Sequence, residues 1–148
     1  SNLLGFANSR SRLRMVTLYQ VAQSKNGLVV GTGNKVEDFG VGFYTKYGDG
    51  GVDLSPIADL YKSEVYAIAR ELGVVDGILN ARPTDGLWDD DRKDEDQIGA
   101  TYDELEWAMQ YNGTDVLTDR EKEVLGVYNK HHKRNKHKMI EIPVFKFK

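Results

Sequence analysis

An α/β domain, a parallel sheet with flanking helices, is the fold class that this 148-residue sequence predicts, on three local patterns. Met15, Leu18, Tyr19 and Ala22 recur at the i, i+3, i+4, i+7 spacing of an amphipathic helix. Leu28-Val29-Val30 is a short apolar run without alternation, as expected of a strand covered on both faces. The segment Gly31–Asp53, GTGNKVEDFGVGFYTKYGDGGVD, follows at once and is crowded with glycine, acids and aromatics. Helix, strand and glycine-rich loop in that order is the rhythm of a parallel sheet.

The first helix is expected over about residues 9–24, with Lys25-Asn26-Gly27 as its C-terminal signal. Val65, Ile68, Ala69 and Leu72 mark a second helix, opened near Lys62 and closed by Gly73. Residues 85–97 are acidic and without periodicity and read as a mobile loop. Thr101-Tyr-Asp-Glu104 is a capping box opening a helix that stops near Asn112-Gly113. Thr118-Asp-Arg-Glu121 opens another, with Val124, Leu125 and Tyr128 on its inner face. There is no internal repeat and no linker, so residues 1–148 are expected to form one domain. The start, Ser1-Asn2 running into Leu3-Leu4-Gly5-Phe6, reads as a chain already under way, the later part of something longer.

A net charge of −3 and a globular apolar fraction argue against a nucleic-acid partner and against disorder. The absence of cysteine removes disulfides and thiolate metal sites and fits a reducing, cytoplasmic setting. No apolar run approaches the roughly 20 residues that span a bilayer.

In open α/β sheets, ligands gather at the carboxyl ends of strands. Thr32 stands there, a candidate for a nucleotide contact or a plain strand-ending turn. Glu37 is either an Mg²⁺ ligand beside phosphates or a helix-N-terminal acid favoured by the dipole. Tyr47-Gly-Asp-Gly-Gly51, flanked by Lys46 and Asp53, uses more glycine than a hairpin needs, which suits backbone laid against a ligand. Lys62 opposes the dipole of the helix it opens unless an anion binds at the same terminus. Arg10, Arg12 and Arg14 splay around a helix, so one is expected to be functional and the others solvated or ion-paired. The basic run Lys130–Lys138 reads first as a solvated tail end and second as a seat for one phosphate-bearing ligand. Zinc at its histidines lacks a convincing third partner. The acidic run Asp89–Asp96 lacks the ordered pattern of a calcium loop.

Taken together, Ser11-Arg-Leu-Arg-Met15, the Gly31–Asp53 segment, Pro56-Ile-Ala-Asp-Leu-Tyr-Lys62, Arg82-Pro-Thr-Asp-Gly-Leu87 and His137-Lys138 resemble the ammonia-dependent NAD synthetases, in the same order along the chain. The resemblance implies a Rossmann-like adenine nucleotide alpha-hydrolase fold. It implies ATP-dependent amidation of deamido-NAD by ammonia through an adenylate, giving NAD, AMP and pyrophosphate. By resemblance Thr32, Lys62 and Thr84 contact the co-substrate ATP and Glu37 binds Mg²⁺. Arg12, Lys46, Asp53, His137 and Lys138 contact deamido-NAD, no residue is a nucleophile, and the enzyme is a homodimer. The chain departs from the family in three ways. The Ser-Gly-Gly-x-Asp-Ser pyrophosphatase loop is absent from these residues, Gly33-Asn34 replaces a common Asp-His, and Glu37 to Lys46 is one residue longer. The absent loop implies that this chain alone is inactive. Two alternatives stand beside this one: another ATP pyrophosphatase relative, or a non-catalytic nucleotide-binding or assembly module.

Overall fold

The computed structural model describes residues 2–88 and 93–147. The first helix, α1, runs Leu3–Ser24, two turns earlier than expected, because the Asn2 side chain accepts the Gly5 amide at 3.0 Å and caps it. It ends where predicted, with Asn26 in the left-handed region (φ +50°) and the Gly27 amide returned to the Ala22 carbonyl.

Its buried row is Ala7, Ser11 and Met15. Of the expected stripe only Met15 is buried, while Leu18 and Tyr19 are exposed. The inner row is polar in part because Ser11 is claimed by the glycine-rich turn. Its Oγ donates to Asp49 Oδ1 at 2.7 Å and accepts the Asp49 amide.

The strand expectation is met only as a single parallel bridge, Val30 to Leu54, and no longer strand occurs among the described residues. The Gly31 amide donates to the Leu54 carbonyl and the Asp53 amide to the Val29 carbonyl. Val29 is buried, but Leu28 and Val30 are 64% and 54% exposed, so coverage of both faces is not met within this chain. The described residues contain no further strand to bond this edge and no element packed over those two side chains.

A π-helix spans Val36–Val41. The nearly inaccessible Asn34 opens it, its Oδ1 accepting the amides of Val36 and Glu37. Gly42 ends it at φ +64°, where a Cβ would also lie 2.5 Å from the Asn135 Cβ, so glycine is demanded twice over.

Helix α2 (Lys62–Glu71) starts at Lys62 and stops before Gly73 (φ +71°) as predicted, yet none of its residues is fully buried. The short α3 (Asp76–Leu79) follows. Of the acidic stretch, residues 89–92 lie outside the described residues, whereas Asp94–Ile98 forms a short helix, α4, in place of loop. Both capping boxes are present, Thr101 with Glu104 opening α5 (Tyr102–Gln110) and Thr118 with Glu121 opening α6 (Asp119–Met139). The core is Val36, Val41, Ile98, Ala100, Tyr102, Leu105, Ala108 and Val124, where the π-helix, α4, α5 and α6 meet. Leu125 and Tyr128 pack against it as expected.

The basic run is not a tail end. It forms the last turns of α6, and its inward residues follow helical spacing. His131 meets the Ile98 carbonyl and His132 the Gly40 carbonyl. Asn135 Nδ2 donates to the Val41 carbonyl, and Lys138 Nζ to those of Gly42 and Tyr44. Carbonyls left over where a helix ends need partners, and α6 supplies them.

Candidate functional site

The geometry begins at Glu37, in the first turn of the π-helix. Its Oε1 takes an ion pair from Lys62 Nζ at 3.0 Å and a hydrogen bond from the Tyr102 hydroxyl at 2.7 Å. Lys62 Nζ also lies 4.8 Å from the centroid of the Tyr102 ring. The same hydroxyl stands 3.4 Å from Oδ2 of Asp94, the first residue of α4. Burial first, then the charges of Asp85 and Glu37, push the Asp94 carboxyl up to about 6, against the pull of Lys62 and Tyr102. Burial with Glu37 beside it also raises the Tyr102 phenol, which stays a donor. Asp38, next along the π-helix, is pushed up to about 6 by burial and then by Glu37 and Asp49.

Thr32, Glu37, Lys62 and Thr84, chosen from three separate stretches of sequence, line one cavity of about 400 Å³. Arg14, Asp49, Asp85 and Asp94 complete much of its polar wall. A second cavity of about 390 Å³ shares Phe43, Asp49, Asp85 and Leu87 with the first, and His137 and Lys138 line it. Arg12 and Lys46 connect to its rim: Arg12 Nε donates to the Lys46 carbonyl at 3.2 Å, and Lys46 Nζ to the His137 carbonyl at 2.7 Å. Asp53 stands apart from both cavities. It accepts the Val29 amide at 2.8 Å and the Tyr19 hydroxyl at 3.2 Å, bracing the bridge.

Each of the three arginines reaches a backbone carbonyl. Arg10 donates to the Leu87 carbonyl and Arg14 to that of Gly86, tying the 84–88 segment to α1. His131 and His132 face backbone carbonyls, and among the described residues no three or more His, Cys, Asp or Glu side chains are grouped so as to hold a metal ion by themselves. Among those residues no helix is long and apolar enough to cross a membrane.

Sequence reasoning missed Tyr102, Asp94 and Glu106. Tyr102 sits inside a capping box and Asp94 in an acidic run, so local pattern assigned each to something else. Glu106 is buried on α5 and accepts both the amide and the hydroxyl of Ser63, the residue after Lys62.

Comparison with known proteins fits this arrangement. Relatives include ammonia-dependent NAD(+) synthetases from Thermoplasma volcanium, 50% identical over 67% of this chain and 40% of that protein, and from Picrophilus torridus, 46% identical over 86% and 52%. The chain thus spans about half the length of the curated relatives it matches. Among solved structures, an NMN synthetase from Francisella tularensis superposes with a TM-score of 0.86 at 35% identity, over 99% of this chain and 58% of that one. The ammonia-dependent NAD synthetase of Campylobacter jejuni shares the fold at a TM-score of 0.71 and 23% identity, over 99% and 57%. A family profile described as NAD synthase matches residues 1–147, so this chain belongs to the NAD synthase family.

Proposed function

We propose that the whole protein carrying this chain amidates deamido-NAD with ammonia at the expense of ATP, releasing AMP and pyrophosphate. The supporting observation is the convergence of Thr32, Glu37, Lys62 and Thr84 on one cavity, with His137 and Lys138 lining the next. Lys62 at the N-terminus of α2 joins a side-chain cation to a positive helix end, a pairing suited to phosphate oxygens. The hydroxyls of Thr32 and Thr84 orient the nucleotide. The adjoining cavity holds deamido-NAD through Lys138 and His137, with Lys46 and Arg12 at its rim and Asp53 further out. The nicotinate carboxylate of deamido-NAD attacks the α-phosphorus of ATP and expels pyrophosphate, and ammonia then displaces AMP from the acyl carbon. Positioning and electrostatics carry such a reaction, and no nucleophile from the chain is required.

Glu37 fits Mg²⁺, which takes one or two protein carboxylates and completes its shell with phosphates and water. When bound, Mg²⁺ neutralises charge developing on pyrophosphate. The parallel sheet is completed in the whole protein around the Val30–Leu54 bridge, the working form is a cytoplasmic homodimer, and neither nucleic acid nor membrane takes part. The complete protein given deamido-NAD, ATP, ammonia and Mg²⁺ should form NAD and AMP one for one; formation of ADP would sink the assignment.

One observation favours a second reading, amidation of a mononucleotide. The NMN synthetase superposes better and at higher identity than the Campylobacter NAD synthetase does. Offering nicotinate mononucleotide and deamido-NAD together at equal concentration, and measuring which amide accumulates, decides between them.

A further inference from the structure

We propose that Tyr102 is a positioning residue for the cavity of Glu37 and Lys62: its hydroxyl orients the carboxylate and its ring face seats the ammonium. The inference rests on the reading of this cavity as the seat of ATP and its divalent cation. Tyr102 is 5% exposed and is the first residue of α5, which the Thr101–Glu104 capping box opens. Its amide donates to Glu95 Oε1 of α4 at 3.0 Å, and its ring belongs to the core that includes Val36, Val41 and Leu105. Backbone and ring are thus both fixed, and packed, rigid support of this kind is what holds neighbouring functional groups in place.

Two opposite charges meet on this one side chain. The hydroxyl donates to Glu37 Oε1 at 2.7 Å, whereas Asp94 Oδ2 lies further off at 3.4 Å. A phenol has one proton to donate, and the short contact takes it. The Lys62 ammonium stands 4.8 Å from the ring centroid and 3.0 Å from the same Glu37 oxygen. In this arrangement Lys62 and Glu37 neutralise each other. Phosphate oxygens that draw Lys62 compete with that pair, and the released carboxylate keeps its place only if other donors hold it. The Tyr102 hydroxyl is one, on Oε1, and the Asn34 amide is the other, on Oε2 at 3.2 Å. The ring meanwhile keeps the ammonium at the cavity by cation–π attraction. Glu37 and Lys62 line the cavity and Tyr102 is buried behind them, so it acts through them.

The test uses the complete protein. Cation affinity is read from the electron paramagnetic resonance signal of free Mn²⁺, with and without a non-hydrolysable ATP analogue. Nucleotide affinity is read by calorimetry with that analogue at saturating Mg²⁺. Tyr102→Phe keeps the ring and loses the hydroxyl, so Mn²⁺ binding should weaken about tenfold or more. Its affinity for the analogue should stay within about twofold of the parent's, because the ring face remains. Tyr102→Met, which fills the buried volume without a ring, should bind the analogue a further threefold or so more weakly, by about the loss of one cation–π contact. If Tyr102→Met does not fold, Tyr102→Leu takes its place, and Tyr102→Phe decides the hydroxyl on its own. Parental Mn²⁺ affinity in Tyr102→Phe would overturn the inference, as would equal analogue affinity in the Phe and Met variants. A lowered melting temperature with both affinities unchanged would overturn it too and leave Tyr102 as a core residue. Because binding is read without turnover, this failure is distinct from failure of the proposed reaction, which the AMP assay reads.

Discussion

Glu106 offers a direct check on how the cavity is held. Its carboxylate, 8% exposed on α5, accepts the Ser63 amide at 2.9 Å and the Ser63 hydroxyl at 2.6 Å. Ser63 is the second residue of α2, where amides have no partner within the helix and Tyr61 makes no side-chain cap bond. Glu106 therefore caps α2 from a neighbouring helix and sets the position of Lys62 beside it. Hydrogen bonds to a charged group are worth about 1.5–3 kcal/mol each, and they do not add fully when one acceptor serves both. The acid at a helix N-terminus adds about 0.3–1 kcal/mol. Against this, Glu106→Ala no longer buries a charge, so the net loss is expected at about 2–3 kcal/mol. Glu106→Gln keeps one acceptor and should cost about 1 kcal/mol, as should Ser63→Ala. Urea unfolding of the complete protein reads these values, and the double variant should show a coupling of about 1–2 kcal/mol. Additive single effects, or Glu106→Ala indistinguishable from the parent, would refute the cap.

Lys62→Ala should cost about 1–3 kcal/mol of stability, since it leaves the Glu37 carboxylate without its cation, and several kcal/mol of transition-state stabilisation besides; equal kcat/KM for ATP in variant and parent would confine Lys62 to its ion pair with Glu37. Glu104, bonded by the Arg120 guanidinium first and the Thr101 amide second, is held well below the usual carboxylate range, at about 2. A depressed carboxyl stabilises the fold above its unfolded value and loses that contribution as pH falls toward its folded one. The parent should therefore exceed Glu104→Gln in stability at pH 7 and converge with it toward pH 2, and a gap that stays constant in denaturant titrations would contradict this. Leu105, fully inaccessible at the core, should cost about 2–5 kcal/mol as Leu105→Ala in the same titration. Phe6, Leu13 and Val16 occupy the side of α1 opposite its buried row and are all more than 60% exposed, so a second copy is expected to cover them. Leu13→Glu should convert a sedimenting dimer of the complete protein to monomer, and a parent already monomeric at micromolar concentration would end the dimer proposal.

What the sequence made legible was what short-range chemistry decides. Thr101 with Glu104 and Thr118 with Glu121 are three residues apart, so each box closes whatever surrounds it. The stop after α1 and the left-handed Gly73 follow equally from local backbone preference. Thr32, Glu37, Lys62 and Thr84 were legible through resemblance, and their common cavity is a fact of tertiary structure that no single spacing contains. Burial was less legible. Leu18 and Val30 have the periodicity of interior residues, yet both are exposed. Tyr102 and Glu106 were illegible for the opposite reason, because each acts on a residue remote in sequence, Glu37 and Ser63.

The basic run shows how charge counting misleads. Read as composition, Lys130–Lys138 is a solvated or phosphate-seeking stretch. Read on α6, every inward side chain from His131 to Lys138 meets a carbonyl, most of them left by the π-helix and its glycine terminus. The opening glycines and the closing cations are thus two halves of one device: Gly42 turns the chain too sharply for its carbonyls to bond locally, and Asn135 and Lys138 bond them from outside. This constrains Lys138 as a substrate contact. Its Nζ already serves the Gly42 and Tyr44 carbonyls, and an ammonium has three protons. One donor remains for a ligand in the adjoining cavity, and a ligand demanding more must loosen the segment that follows Glu37.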